Sequence, residues 1–322
     1  MAFASPAEAP ELTQVGLEVW RGGVNTWDCD GMGHLNVRFY VAFAMEGLAS
    51  LAAELGLPHA FSPEAPSTLV VREHHIRYLR EARDHAVLHM TAGVVEIGES
   101  DAVIVQLLYH SMSGEPCAAL QTRVSHVTAR DMRPFPWSAK VLERARGLMV
   151  EMPDIAKARS LSQAPAGANL SLRRAEALGL QSIGLGLINP GDSDAFGRMQ
   201  AHHLIGHVSD GITGMVTPFR QTVVDNSETK PQRFGGAALE YRAVYLAWPR
   251  IGDRFTIRSG ISGVDKRAMR MTHWMLDPLS GRPWGGAEAV VTTFDLERRK
   301  IVPISEAAQA VIGGWVTPGL SL

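Results

Sequence analysis

Two aspartates, Asp28 and Asp30, stand in a short polar turn, Asp28-Cys29-Asp30-Gly31-Met32-Gly33, that opens onto a strongly apolar segment. In that segment Leu35, Phe39, Ala42, Phe43, Met45 and Leu48 recur at intervals of three or four, the spacing of one buried helical face. A carboxylate just ahead of a buried helix faces unpaired backbone N–H groups at the positive end of the helix dipole. Such N–H groups can hold a carbonyl oxygen while the carboxylate attacks the carbonyl or activates water. The competing reading is local, because aspartate is also a common helix cap.

The arrangement occurs twice. A shift of 164 residues carries Asn25 to Asn189, Asp28 to Asp192, Asp30 to Asp194, Gly33 to Gly197, Glu46 to Asp210 and Gly47 to Gly211. Downstream, a shift of 167 carries Tyr78-Leu79 to Tyr245-Leu246, Arg83 to Arg250 and Ser113-Gly114 to Ser280-Gly281. A difference that small is loop variation between two copies of one module.

The elements that must position these residues follow in the same order in each copy. Residues 1–14, rich in Ala, Pro and Glu, read as a loose leader. Residues 15–130 form the first expected domain: a strand over Leu17 to Val24, a helix from Leu35 to Leu55 stopped by Gly56, then strands Thr68 to Tyr78, Ala86 to Ile97, Ala102 to Ser111 and Cys117 to Val127. Residues 131–180 read as a crossover linker with a helix within Trp137 to Val150. Residues 181–322 form the second domain, with strands Gln181 to Ile188, Ala237 to Ala247, Arg254 to Gly263, Ala268 to Leu276 and Trp284 to Phe294. Its helix is expected over Met199 to Met215, with Pro218 ending it; Gly206, Gly211 and Gly214 weaken the pattern or permit close packing.

Composition narrows the classes. The 322 residues suffice for two filled cores, and 46% hydrophobic with 20% charged residues is the balance of a soluble globular chain. A formal net charge of −2 offers no footprint for nucleic acid, and no apolar run spans a bilayer. Two cysteines, Cys29 and Cys117, make no disulfide framework, so a cytoplasmic location is expected, and cysteine-held metal is excluded.

A long helix followed by an antiparallel sheet that wraps it resembles the hotdog fold. Asp28-Cys29-Asp30-Gly31-Met32-Gly33-His34-Leu35-Asn36 is similar to the Asp-x-Asp-x-x-Gly-His-x-Asn signature of the 4-hydroxybenzoyl-CoA-type acyl-CoA thioesterases, and Phe39-Tyr40 and Glu46 continue the match. Ile76 to Arg83 resembles that family's strand and basic turn. The likeness is good over about residues 17–130 and weaker, though collinear, over about 181–303. It implies an α+β double hotdog that hydrolyses an acyl-CoA thioester to the acid and coenzyme A. It further implies Asp30 as nucleophile or general base, and backbone N–H groups of the turn and helix start (Gly33, Asn36, Val37) as oxyanion donors. No metal or other cofactor is implied, the coenzyme A thioester being the substrate. A tandem chain of this kind can supply its own partner domain and can dimerise again as a homodimer.

The remaining candidates each carry an alternative. Asp28 reads as bonding the turn's own N–H groups. His34 would orient water or polarise the carbonyl, or bond to backbone. Asp194 is a cap or a second catalytic acid, and its copy departs from the signature at Arg198 (for His34) and Gln200 (for Asn36). Glu46 is expected to bond the neighbouring domain. His203 and His207 are spaced as metal ligands can be, but no Glu follows as in His-Glu-x-x-His, and no metal is expected. Arg77, Arg80 and Arg83 would meet coenzyme A phosphates or form a solvated strand edge. Two rival functions remain: a hotdog 2-enoyl-CoA hydratase, whose Asn-Pro-x-His-x-Asp string would need histidine where this chain has Asp192, and a non-catalytic acyl-CoA binder.

Overall fold

The computed structural model describes residues 15–166 and 169–322; the expected leader, residues 1–14, lies outside them. Up to Val70 and from Tyr78 to Lys157 the chain forms one compact unit, and Val71–Arg77 with Ala158–Leu322 forms the other.

In the first unit, β1 (Leu17–Gly23) leads through a single 3-10 turn at Thr26–Asp28 into α1 (Val37–Glu54). Asn36 caps α1 by accepting the N–H of Arg38. At the other end Gly56, at φ +94, takes the left-handed conformation that lets the N–H of Gly56 reach Ala53 O and that of Leu57 reach Ala52 O. This is the pair of bonds that satisfies the last carbonyls of a helix and ends it. β2 (Ser67–Tyr78) follows, shared between the units, then β3 (Val87–Ile97), β4 (Asp101–His110) and β5 (Pro116–Thr128), with antiparallel pairing in the order β1-β3-β4-β5. α1 packs on β1 and β3, with Tyr40, Phe43, Ala44, Gly47, Leu48 and Leu51 among its buried residues. Gln106, buried in β4, ties the layers together: its Nε2 donates to Ala44 O at 2.6 Å and its Oε1 accepts from Thr122 at 2.7 Å.

β4 is buried along almost its whole length rather than at alternate residues. The reason is a second cover. Residues 131–157, read from sequence as part of a linker, pack on the other face of this sheet through α2 (Ala139–Arg146) and the segment after it. The N–H of Val94 donates to Leu148 O and that of Val150 to Val94 O, both at 2.9 Å, while Gln121 Nε2 donates to Ala156 O at 2.6 Å. Strands covered on both faces lose the alternation that marks a half-buried sheet.

The second unit contains α3 (Leu172–Ala177), β6 (Gln181–Leu187), α4 (His202–Gly211), α5 (Thr213–Asp225), β7 (Phe234–Tyr245), β8 (Arg254–Val264), β9 (Met269–Leu276), β10 (Pro283–Asp295), β11 (Lys300–Ile301) and α6 (Glu306–Gly313). Val71–Arg77 of β2 borders β7, and the order runs β7-β10-β9-β8-β6 with β11 on β10. The helix that is continuous in the first unit is two helices here, broken at Ile212 between Gly211 and Thr213. Pro218, expected to end the helix, lies inside α5, which runs on to Asp225. As the sixth residue of α5, Pro218 forgoes one i→i−4 bond, to Gly214 O, without ending the helix, and the break falls next to Gly211 instead. α6, which no sequence pattern marked, closes the core around Phe219, Val223, Met271 and Ile312.

Of the expected close-packing glycines, Gly211 is the demanding one: a Cβ there would sit 1.9 Å from the Ile183 carbonyl oxygen, whereas one at Gly214 meets nothing within 4 Å. Gly211→Ala is therefore expected to lower stability by about 1–3 kcal/mol, with Gly214→Ala neutral or mildly stabilising, readable as opposite shifts in the urea midpoint.

The duplication extends to irregularities. β1 has a register shift on β3 between Glu18 and Trp20, and β6 has one on β8 between Ser182 and Gly184. The β3–β4 shift at Val94/Glu96 recurs as the β8–β9 shift at Ile261/Gly263. Bulges are retained features rather than defects, so their recurrence at the shifts of the sequence repeat marks two hotdog modules of common design.

Candidate active site

The turn ahead of α1 is built by its own side chains. Asp28 is buried, and its Oδ2 accepts the backbone N–H and the side-chain amide of Asn25 at 2.9 and 3.1 Å. Its backbone carbonyl accepts the N–H of Asn36. Asp30 Oδ1 accepts from the N–H groups of Met32 and His34 at 2.8 and 3.2 Å, and Gly33, at φ +75, turns the chain so that its N–H reaches Asp30 O. Both bonds fall on Oδ1. Asp30 Oδ2 has no hydrogen-bond partner among the described residues.

The N–H groups of Gly33 and Asn36 are thus already spent, and that of Arg38 is capped. Val37, the first residue of α1, keeps an N–H without an acceptor among the described residues. His34 Nε2 lies 3.3 Å from Glu81 Oε2, with the His34 side chain 13% exposed. Glu81 is the residue that sequence reasoning missed. It stands inside the matched Ile76 to Arg83 string, 47 positions beyond His34, and nothing local announces that it reaches back. The contact is made because the N–H of Leu35 bonds Ala82 O and His34 bridges Arg83.

The second copy keeps this frame bond for bond. Asp192 Oδ2 accepts from Asn189, the N–H of Gln200 reaches Asp192 O, that of Met199 reaches Pro249 O, and Arg198 bridges Arg250. Asp194 Oδ1 accepts from the N–H groups of Phe196 and Arg198, both at 2.9 Å. The copies differ at the other oxygen: Arg198, itself buried, closes on Asp194 Oδ2 with Nε at 2.9 Å and a terminal nitrogen at 2.8 Å. A bidentate guanidinium consumes the lone pairs that a base or nucleophile would need. Gln200, in the place of the Asn36 cap, turns away to donate to Ser193 O, and α4 has no side-chain cap. Burial alone would raise the Asp192 carboxyl, but the Asn189 hydrogen bonds and the imidazoles of His203 and His207 hold it below its ordinary value.

The other candidates separate. Glu46, expected to bond the neighbouring domain, instead accepts from Trp20 Nε1 at 2.7 Å within its own unit, where Trp20 stacks on Phe43. Arg80 pairs with Glu115 at 2.8 Å, and Arg83 stands mostly exposed 3.7 Å from Glu81. Arg77 lies on Val71–Arg77 in the second unit, in register with Glu240. The rings of His203 and His207 lie 5.6 Å apart and tilted by 30°, and no cluster among the described residues has the makeup of a metal site. No helix among them is long and apolar enough to cross a membrane.

A model of the thioesterase-like superfamily matches residues 24–145 and, a second time, residues 188–312. The chain belongs to the thioesterase-like superfamily. Each match takes in one Asp-containing turn and the helix behind it, so this thioesterase-like protein carries two tandem hotdog domains. A search of curated proteins returns no match. Among solved structures it is similar to a Lactobacillus plantarum protein provisionally assigned as an oleoyl thioesterase, at 10% identity and TM-score 0.64 over 86% of this chain and 96% of that one. It is also similar to an acyl-ACP thioesterase from Bacteroides thetaiotaomicron, at 12% identity and TM-score 0.61 over 84% and 96% of the two chains. A third is the 12:0-ACP thioesterase from Umbellularia californica, at 10% identity and TM-score 0.61 over 85% and 93%. At such identities the likeness is one of fold.

Proposed function

We propose that this thioesterase-like protein hydrolyses acyl thioesters at the first copy's turn, and that the second copy does not perform the chemistry. The observation that carries the reading is the contrast between the two aspartates: Asp30 Oδ2 is open, and Asp194 Oδ2 is closed by Arg198. Asp30 Oδ2 takes a proton from water as the water oxygen attacks the thioester carbon, or attacks that carbon itself. The Val37 N–H and the positive end of α1 stabilise the oxyanion, in the place that Gly33 and Asn36 cannot fill with their spent N–H groups. On the water route the tetrahedral intermediate expels the thiolate, which takes up the proton held by Asp30, leaving acid and free thiol. On the direct route the thiolate leaves and is protonated by solvent, and water then hydrolyses the resulting mixed anhydride to the acid and free Asp30. Glu81 accepts Nε2–H of His34 and fixes its tautomer, which leaves Nδ1 as the acceptor that orients water.

The carrier is coenzyme A by resemblance to the 4-hydroxybenzoyl-CoA-type thioesterases, and acyl carrier protein by likeness to two acyl-ACP thioesterases of the same fold. Thiol release from short, long, aromatic and polar acyl groups on both carriers tests the reading. Release from at least one pair is expected, whereas tight binding with no thiol freed over hours would make the protein a binder. The hydratase reaction is disfavoured by Asp192, and crotonyl-CoA should keep its enoyl absorbance.

A further inference from the structure

The two copies finish the open edge of their sheets differently. β1 closes the order of the first unit and β6 that of the second, each pairing on one side only among the described residues. A strand open on one side offers backbone N–H and C=O groups to any chain that can lie along it, and charged side chains are a common guard. β1 carries that guard: Glu18 and Arg21, both exposed, form a two-bonded ion pair at 2.8 and 2.7 Å. The shift of 164 carries Glu18 to Ser182 and Arg21 to Leu185, and the shift of 167 carries Asp84 to Ile251. The bond from the His85 N–H to Val24 O recurs as that from the Gly252 N–H to Ile188 O, so Ile251 flanks β6 as Asp84 flanks β1. Three charges are gone from the second edge, and two of them have become large apolar side chains.

The replacements face water. Leu185 is 75% exposed, Leu187 45% and Ile251 51%, and the two leucines, two positions apart on a strand, share one face. Glycine at 186 is demanded from within, because a Cβ there would sit 2.6 Å from the Phe255 ring. Leucine at 185 is not, since a side chain three-quarters exposed adds little to the core of its own unit. The stretch is also its own complement. Ile183-Gly184-Leu185-Gly186-Leu187 reads apolar, Gly, Leu, Gly, apolar from either end, with no charge and no proline, and its pairing with β8 is regular from Gly184 to Leu187. Two copies laid antiparallel about Leu185 set leucine on leucine, glycine beside glycine and Ile183 opposite Leu187. The same centre in β1 would set Arg21 on Arg21.

We propose that the open edge of β6 docks a second copy of this chain, the two β6 strands pairing antiparallel about a two-fold axis at Leu185 to form an isologous dimer. A strand pair with a short apolar strip buries less than a standard interface, so a weak dimer is expected, with Kd about 10–100 μM. The full chain is followed by sedimentation velocity from about 1 to 500 μM, a range that brackets such a Kd. It should pass from monomer to dimer and stop there, because an isologous contact closes on itself. Ser182→Glu combined with Leu185→Arg writes the first copy's ion pair onto the second edge and sets arginine on arginine across the axis. It should raise Kd at least about a hundredfold. Arg21→Ala, at the other edge, should leave Kd unchanged.

The urea midpoint, taken where every form is monomeric, checks that the variants fold. If the double variant does not, Leu185→Cys alone carries the test. Directly opposed residues of an antiparallel pair have Cα atoms about 4.5–5.5 Å apart, within reach of a disulfide. Mild oxidation should therefore link Leu185→Cys chains in pairs. The unaltered chain, with only Cys29 and the buried Cys117, should stay unlinked, and Leu187→Cys, which the axis sets opposite Ile183, should link far less. A chain monomeric throughout the range would overturn the assignment. So would a dimer indifferent to the added charges, Leu185→Cys chains that stay unlinked or link less than Leu187→Cys chains, or association that runs on past the dimer.

Discussion

Asp30→Asn is expected to lower kcat on any acyl thioester the protein cleaves by about a thousandfold or more, with the melting temperature nearly unchanged. Removing a group that acts as base or nucleophile costs at least the contribution of general-base catalysis, about 10²–10⁴. The fold is spared because the asparagine oxygen can still accept from the N–H groups of Met32 and His34, the two bonds that shape the turn. Only Oδ2, which bonds nothing in the fold, changes character. The matching change in the other copy should behave in reverse. Asp194→Asn leaves the buried Arg198 without its counter-charge, so stability falls while turnover stays. Steady-state thiol release alongside a urea melt for both variants decides it, and full activity in Asp30→Asn would remove that aspartate from the chemistry.

Glu240→Gln should be the most destabilising isosteric change of a charged residue, at about 3–5 kcal/mol. Glu240 on β7 is 2% exposed. Its carboxylate accepts from His75 Nε2 at 2.6 Å and from the backbone N–H groups of Arg159, Ser160 and Leu161 at 2.9, 2.8 and 3.4 Å. It thereby ties residues 159–161 to the sheet of the second unit, and an amide would turn an NH₂ group toward donors. Burial alone would raise this carboxyl, yet the hydrogen bond from His75 and those from the backbone pull it down to about 2. A carboxyl lowered in the folded state stabilises above its unfolded value, near 4.5, and loses that stabilisation as pH falls toward about 2. Wild type should accordingly weaken through that acid window, and Glu240→Gln should show a flatter profile there. Parallel profiles of urea midpoint against pH would argue against the carboxylate.

Neighbouring residues carried most of what sequence could reveal. The Asp28–Asn36 string and its displaced copy were legible because caps, turns and helix starts are made by side chains within a few positions of each other. Strand limits came out within one to three residues, since Gly and Pro bound them. The role of residues 131–157 was not legible. Their polar, proline-broken stretch looks like linker, and only the two-sided burial of β4 shows that a sheet face needed covering. The helix break at Ile212 was half visible. Glycines marked a weak point, but the close approach of Gly211 to Ile183 O lies in a contact between elements.

By itself the chain's order of residues determined that one module, a carboxylate turn ahead of an apolar helix and a sheet, is used twice, because that information is local and repeats at a near-constant shift. It could not say which copy has a carboxylate oxygen to spare. That depended on folding bringing Arg198 back onto Asp194 in one turn and Glu81 onto His34 across 47 positions in the other. Arg198 is only four residues from Asp194, yet whether a side chain turns onto a neighbouring carboxylate is set by how the turn packs, and no spacing rule encodes it.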